Sequence, residues 1–392
     1  DAYNTAVGYA SGNVMTTGVE NTLLGGEAGD ALTDGGTNVA VGKGSIGSDT
    51  RGSKSTAVGT GSLSSQNFTS ATDTYNTAMG YVAGAAVTTG VDNTLIGGLA
   101  GDAITDADYN VALGNSALGA NTVGSKNTAI GSSALLVMNP ASAADTLNTA
   151  VGYHAGRLVS TGSLNTLIGG LTGDSLTVGE KNVTLGYTAL GSDTKGNKST
   201  ALGYAALNAQ NFTSATDAFN TAVGFEAGGA ITTGFSNTVV GGLALDAQTT
   251  GDYNVALGVL ALSADTTGNK ATGLGYGALA AQNVTDSADT FNTAVGYLAG
   301  AAVTTGIQNT LIGSQSGDAL TTGTRNVVLG VNALSSETSS SRSVAIGNSA
   351  LETQNVGGSG SAYNTAVGSQ AGNQITTGTQ NTLIGGLAGD AI

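Results

Sequence analysis

Asn76-Thr77-Ala78-Met79-Gly80-Tyr81-Val82-Ala83-Gly84-Ala85-Ala86-Val87-Thr88-Thr89-Gly90-Val91-Asp92 is the stretch that decides the fold. Thr77-Ala78-Met79 reads as a short strand, stopped by Gly80, with a corner at Ala83-Gly84. A second short strand is expected through Val87-Thr88-Thr89, and Gly90 turns the chain back to Asn93. Two strands and two glycine-rich turns between Asn76 and Asp92 make one coil of a β-solenoid or β-roll. Helix is excluded by the recurrent Gly, the frequent Thr and Val, and the lack of a 3.6-residue apolar period.

The motif then repeats. Asn-Thr-Ala-Val/Met-Gly starts at Asn4, Asn76, Asn148, Asn220, Asn292 and Asn364, a constant 72-residue period. Looser copies divide each period into three 17-residue units and one 21-residue unit. A fixed period of this kind is the mark of stacked repeats, each touching mainly its neighbours. Residues 1–392 therefore read as one continuous repeat rod. At about 4.8 Å per coil, 22 motif copies give a rod of roughly 105 Å. Stacking sets like on like, so the motif Asn residues form a structural ladder with side-chain hydrogen bonds along the rod. Each coil offers few, small apolar side chains, a thin core. Several chains sharing one core, as a parallel homotrimer, is the expectation; a self-sufficient monomer is the alternative.

Composition narrows the function. Only 9% of residues are charged and 40% are hydrophobic, too apolar for a disordered acidic tail. The net charge of −15 lacks the basic face that displaces phosphate counterions, which excludes a general nucleic-acid binder. No run is long and apolar enough for membrane insertion in this segment. With no Cys and a single His, His154, thiolate chemistry and a multi-histidine metal site are excluded within one chain. No phosphate-binding loop or cofactor signature is found: Gly42-Lys43-Gly44-Ser45 misses the required spacing by one residue. The chain begins at Asp1 without Met and stops within a unit at Ile392, which is expected of a segment of a longer protein.

Three further columns follow the long period. Every fourth unit carries an insertion, as at Gln66-Asn67-Phe68-Thr69, Gln210-Asn211-Phe212-Thr213 and Gln282-Asn283-Val284-Thr285. These are expected to bulge, making Asn67, Phe68, Asn211, Phe212, Asn283 and Val284 the candidate surface-loop contacts; a spacer that adjusts twist is the plainer role. Lys54, Lys126, Lys198, Lys270 and Arg342 precede the fourth motif, and one coil later the same slot holds Tyr75, Leu147, Phe219, Phe291 and Tyr363. Stacking brings each base near a ring, a cation–π geometry, wherever a ring is present. Asp30, Asp102, Asp174, Asp246, Asp318 and Asp390 lie in strings close to the calcium-binding Gly-Gly-x-Gly-x-Asp repeat. They lack its fourth-position Gly and its tandem spacing, so a turn-capping Asp is expected rather than a metal ligand.

Units such as Asn76 to Gly84 followed by Thr88-Thr89-Gly90 resemble repeats of bacteriophage tail fibres, especially those of marine phages. They also resemble the head repeats of trimeric autotransporter adhesins, which carry a similar Ala-Val/Ile-Gly strand in a left-handed β-roll. The adhesin repeats are usually shorter than the units of this chain. Tail fibres of this type imply homotrimers, often with a C-terminal intramolecular chaperone, and no stretch of this chain matches one. The resemblance implies a structural, non-enzymatic fibre shaft, in a virion or at a cell surface. It would bind its own copies, join other virion or fibre proteins through its ends, and hold a tip toward a host-cell receptor. A bacterial adhesin or a self-assembling extracellular filament is the alternative. An ice-binding Thr face is disfavoured, because Ala or Leu follows the motif Thr.

Overall fold

The structure, a computed structural model, describes residues 2–390 and holds no helix among them. It is a parallel β-solenoid in which each ordinary coil returns to the next copy of the motif, as from Asn76 to Asn93. Two units are distinguished, residues 2–197 with 213–215, and residues 198–212 with 216–390. The first carries eleven three-residue strands, from Thr5–Val7 to Val183–Leu185, and the second eleven, from Thr200–Leu202 to Thr382–Ile384. Within each unit every such strand pairs in parallel with the next. The register is set by the repeat: Thr77 opposes Thr94, Ala78 opposes Leu95, and Met79 opposes Ile96.

The second strand expected at Val87-Thr88-Thr89 is not formed. Val87 is fully buried, but the backbone amides of Thr88 and Gly90 both converge on the carbonyl of Thr105, at 2.8 and 3.2 Å. Two donors on one acceptor make a turn between coils rather than a ladder. A second short pairing appears only beside the longer coils, as between Gly52–Ser53 and Thr72–Asp73.

The corners are tight, and ordinary L-residues occupy left-handed conformations there, such as Val82 (φ 49°) and Asp92 (φ 56°). Such residues cost about 1–3 kcal/mol each. The stack compensates: the Val82 amide donates to Thr60 O at 2.9 Å and the Asp92 amide to Thr74 O at 2.8 Å. The Gly that ends each strand has a stricter reason. Gly97 sits at φ +132°, and a Cβ there would lie 2.6 Å from the carbonyl carbon and oxygen of Gly114 in the next coil.

The core is thin, and it is filled by exchange of volume. Ala78, Ala83, Val87, Leu95, Ala100 and Ile104 are all fully buried. Where the strand supplies Leu95, the facing corners are Gly84 and Gly101, whose Cβ positions Leu95 already occupies within 2.6 and 2.7 Å. Where the strand supplies only Ala112 or Ala129, the corner supplies Leu118 or Leu135. In these coils a large side chain on one wall is matched by a small residue on the other.

The Asn ladder runs inside. Asn76 Oδ1 accepts the backbone amide of Asn93 at 3.0 Å and its side-chain amide at 3.3 Å, while Asn76 Nδ2 donates to Gly90 O at 2.8 Å. The same link from the next coil reaches Asn4, Asn148, Asn220, Asn292 and Asn364. Asn therefore satisfies buried turn carbonyls and couples coils with one side chain.

A charge-free strand face as candidate interaction surface

Strand residues alternate in and out. The middle residue points into the core, so the first and third point outward. Those outward positions are Thr or Val followed by Val, Leu, Ile or Met, and none of the 22 three-residue strands holds a charged residue. Every acidic and basic residue of the chain (26 and 11) thus falls elsewhere. Many of these outward side chains are open to solvent: Met79 at 46% and Leu185 at 52% in the first unit, Leu257 at 43% and Leu329 at 47% in the second. The residue after the strand-ending Gly is often an exposed aromatic, as at Tyr81, Tyr153, Phe225 and Tyr297. Some stack across adjacent coils: the rings of Tyr204 and Phe225 lie 5.3 Å apart, those of Tyr276 and Tyr297 5.5 Å. Within each unit this gives an uncharged strip in which Thr alternates with exposed aliphatic side chains, a composition that makes it the candidate interaction surface.

The insertions are more tightly held than their composition suggests. Phe68, Phe212 and Val284 are 6%, 5% and 5% exposed, so the expectation that they form surface contacts is corrected: they are apolar plugs in the solenoid wall. Asn67, Asn211 and Asn283 are exposed. Asn67 accepts a hydrogen bond from Thr50 at 3.2 Å and Asn283 one from Thr266 at 2.8 Å. The rest of the exposed surface in the first insertion is Thr69-Ser70-Ala71.

Beneath each insertion lies a buried polar cluster that the sequence reading missed. Asp49 is fully buried; it accepts Gln66 Nε2 at 2.6 Å and the amides of Gly52 and Phe68 at 2.9 and 3.2 Å. Gln66 Oε1 in turn accepts Asn76 Nδ2 at 3.0 Å. The equivalents are Asp265 with Gln282 and Glu337 with Gln354. In the second period both partners change: Asn121 closes on Gly124 alone, and a buried Met138 replaces the Gln. Burial pushes the Asp265 carboxyl above the usual range, against the hydrogen bond from Gln282. At Glu337 burial pushes the same way, but the hydrogen bonds from Ser340 and Gln354 outweigh it and the carboxyl is held below that range. The signal available in the sequence was the recurrence of an acid and a Gln one coil apart, as at Asp49 and Gln66.

The basic residues meet their rings as the stacking requires. Lys54 Nζ lies 5.2 Å from the Tyr75 ring centre, Lys198 4.9 Å from Phe219, Lys270 5.3 Å from Phe291, and the Arg342 guanidinium 5.5 Å from Tyr363. An acid two residues before the ring completes each lysine bracket, and the acid is kept where Leu147 replaces the ring: Lys54–Asp73 at 2.6 Å, Lys126–Asp145 at 2.5 Å, Lys198–Asp217 at 2.5 Å and Lys270–Asp289 at 2.6 Å. These brackets pin the returning end of the insertion.

His154 stacks on the exposed Tyr153, ring centres 3.8 Å apart. Asp174 is gripped by Arg157 through two hydrogen bonds, at 2.9 and 3.2 Å. Among the described residues no group of three or more His, Cys, Asp or Glu side chains is placed to hold a metal ion. No protein family matches the chain, and no curated protein is significantly similar to it.

Proposed function

We propose that this chain is the shaft segment of an extracellular fibre, most simply a phage tail fibre. In this reading three parallel copies turn their strand faces toward one another, and the shaft holds a receptor-binding tip away from the particle. The supporting observation is the strand face itself: apolar, partly exposed and free of charge over every coil, on a chain carrying a net charge of −15. A solvated face would carry charge to stay soluble. A second copy of the chain is the occupant that fits, because it repeats the same spacing of outward residues.

The magnitudes agree. Burying the exposed half of a Val or Leu is worth about 1 kcal/mol. Eleven strands in a unit then give about 10 kcal/mol, against an association cost of about 4–15 kcal/mol. The flanking aromatic rings tip the sum toward association. The reading assigns no catalytic role to the chain and a rigid spacing role to the repeat.

Sedimentation equilibrium tests the assembly. Three times the chain mass is expected, with Leu257→Lys/Leu329→Lys shifting the protein toward the single-chain mass while its circular dichroism is retained. A single-chain mass for the unaltered protein at micromolar concentration would refute it. Immunogold electron microscopy with an antibody to the repeat tests the place. Label on thin appendages of phage particles is expected; label on cell envelopes or loose filaments, with virions bare, would move the rod to an adhesin or matrix fibre.

A further inference from the structure

One column of the solenoid shows the same pair of slots both filled and open. In the third period, Arg157 reaches down one coil and its planar fork holds Asp174, Nε to Oδ1 at 2.9 Å and Nη2 to Oδ2 at 3.2 Å. One period later the two slots are Gly229 and Asp246. Removal of the arginine side chain leaves a groove over the carboxylate, lined by Ala205, Asn208, Ala209, Glu226, Gly229 and Asp246. Asp246 Oδ1 is buried there and has no hydrogen-bond partner among the described residues.

The neighbouring slots have changed in the same sense. Glu226 stands where the filled copy has His154, and Asn208 where it has Leu136. An imidazole and an apolar side chain have given way to a carboxylate and an amide. Burial, the nearby Glu226 carboxylate adding to it, pushes the Asp246 carboxyl above its usual range, the behaviour of an acid without its counter-charge. The related Asp318 also has an unpartnered Oδ1, but Ala301 and Leu298 occupy the corresponding slots and bring no second acid.

We propose that the groove over Asp246 binds a guanidinium group, presented as an arginine side chain of a partner protein. The filled copy supplies the geometry: a planar cation entering along the coil stack and bonding the carboxylate with two parallel N–H groups. Asp246 is the fork's acceptor. Glu226 supplies a second negative charge at the entrance, and Asn208 an amide for the outer edge of the ligand. A lysine ammonium offers a point charge and no fork, so it fits the two-oxygen floor less well. A calcium ion needs six or more oxygens, which two carboxylates and one amide do not provide.

The test uses the full chain and ligand-observed saturation-transfer NMR. N-acetyl-arginine N-methylamide stands for a peptide-borne arginine. Saturable binding in the millimolar range is expected, at least tenfold tighter than for the matching lysine derivative. Asp246→Asn should weaken it at least tenfold. Gly229→Arg should abolish it by rebuilding the internal pair. That variant is expected to fold, because Arg157 occupies the equivalent slot and a Cβ at Gly229 meets nothing nearer than Glu226 O at 3.2 Å. No saturable signal, equal affinity for the lysine derivative, or unchanged affinity in either variant would overturn the proposal. Binding of agmatine without binding of the capped arginine would overturn the protein source in favour of a free small molecule.

Discussion

Replacing the buried cluster of the first period with that of the second tests whether each works only as a set. The donor side is Asp49, Ser55 and Gln66; the replacement is Asn, Asn and Met, as found at Asn121, Asn127 and Met138. Asp49→Asn alone sets a side-chain amide against Gln66 Nε2, which donates to Asp49 at 2.6 Å. One of two buried donors is then unsatisfied, at a cost of about 1–3 kcal/mol. Gln66→Met alone removes a hydrogen bond to a buried carboxylate, worth about 1.5–3 kcal/mol, and strips Asn76 Nδ2 of its 3.0 Å acceptor. The triple replacement restores a pattern the chain already carries except at Phe68, where the second period has Pro140; the Phe68 amide, now bonded to Asp49, would keep an acceptor in the new Asn oxygen. The closure of Asn121 on Gly124 would be reproduced on Gly52. The role of Asn127, which accepts Thr146 at 2.8 Å and the Asn148 amide at 3.1 Å, would be reproduced at position 55. Its net cost should be within about 1 kcal/mol, far below the sum of the singles. Repeat arrays do not unfold in one step, so local hydrogen exchange at the Gly52 and Phe68 amides, both bonded to Asp49, is the assay. Each step of about 1.4 kcal/mol is tenfold in exchange rate. Singles should exchange about tenfold or more faster than the unaltered chain, the triple within about fivefold of it. A triple variant as fast as the product of the singles would refute the reasoning.

Gly97→Ala should cost about 3 kcal/mol or more, from left-handed strain and the collision with Gly114, whereas Gly98→Ala, whose Cβ meets only Asn115 Nδ2 at 3.4 Å, should stay within about 0.5 kcal/mol; thermal melts of the two check this. Lys54→Ala and Tyr75→Leu should be non-additive in exchange at Thr74, since both act through one bracket, and additivity would dissolve the pairing. The pH response should differ in sign between two equivalent coils. Asp265, raised in the fold, binds its proton more tightly folded than unfolded, so its coil loses stability as pH rises from the ordinary carboxylate value through the raised one. Glu337, lowered in the fold, contributes stability above the ordinary value that is lost as pH falls through the lowered one. Protection of the Gly268 and Ser340 amides, each exchange rate divided by its intrinsic rate at the same pH, should move in opposite directions from acid to neutral pH, and parallel movement would exclude the assignment.

Much of this was legible in the sequence, and the reason is the repeat. The strand at Thr77–Met79 follows from three residues and a terminal Gly, and the stacking partner of Lys54 follows from counting one coil. What failed was orientation inside a coil. Val87-Thr88-Thr89 has strand composition, but the inter-coil bond of Thr88 makes it a turn. Phe68 sits in an Asn/Thr-rich insertion and reads as display, but the thin core needs its ring as a plug. The Asp49–Gln66 contact spans two coils, and a list of polar residues does not say which of them face inward. The charge-free face became visible only once strand direction fixed which residues alternate outward.

The fourth coil has a consequence for how the chain finds its own alignment. Ordinary coils share one backbone motif: strand lies on strand in the same register, and a chain that looped out one ordinary turn would recover the backbone ladder while losing only the fit of large to small core side chains. The buried acid and its Gln break that degeneracy. A slip by one turn would set Gln66 over a coil with no acid and leave Asp49 sealed in the wall without its side-chain donor. The cluster acts as an index mark that turns an almost featureless thread into a ruler with numbered divisions. A change of length that keeps the marks in step must add or remove whole divisions.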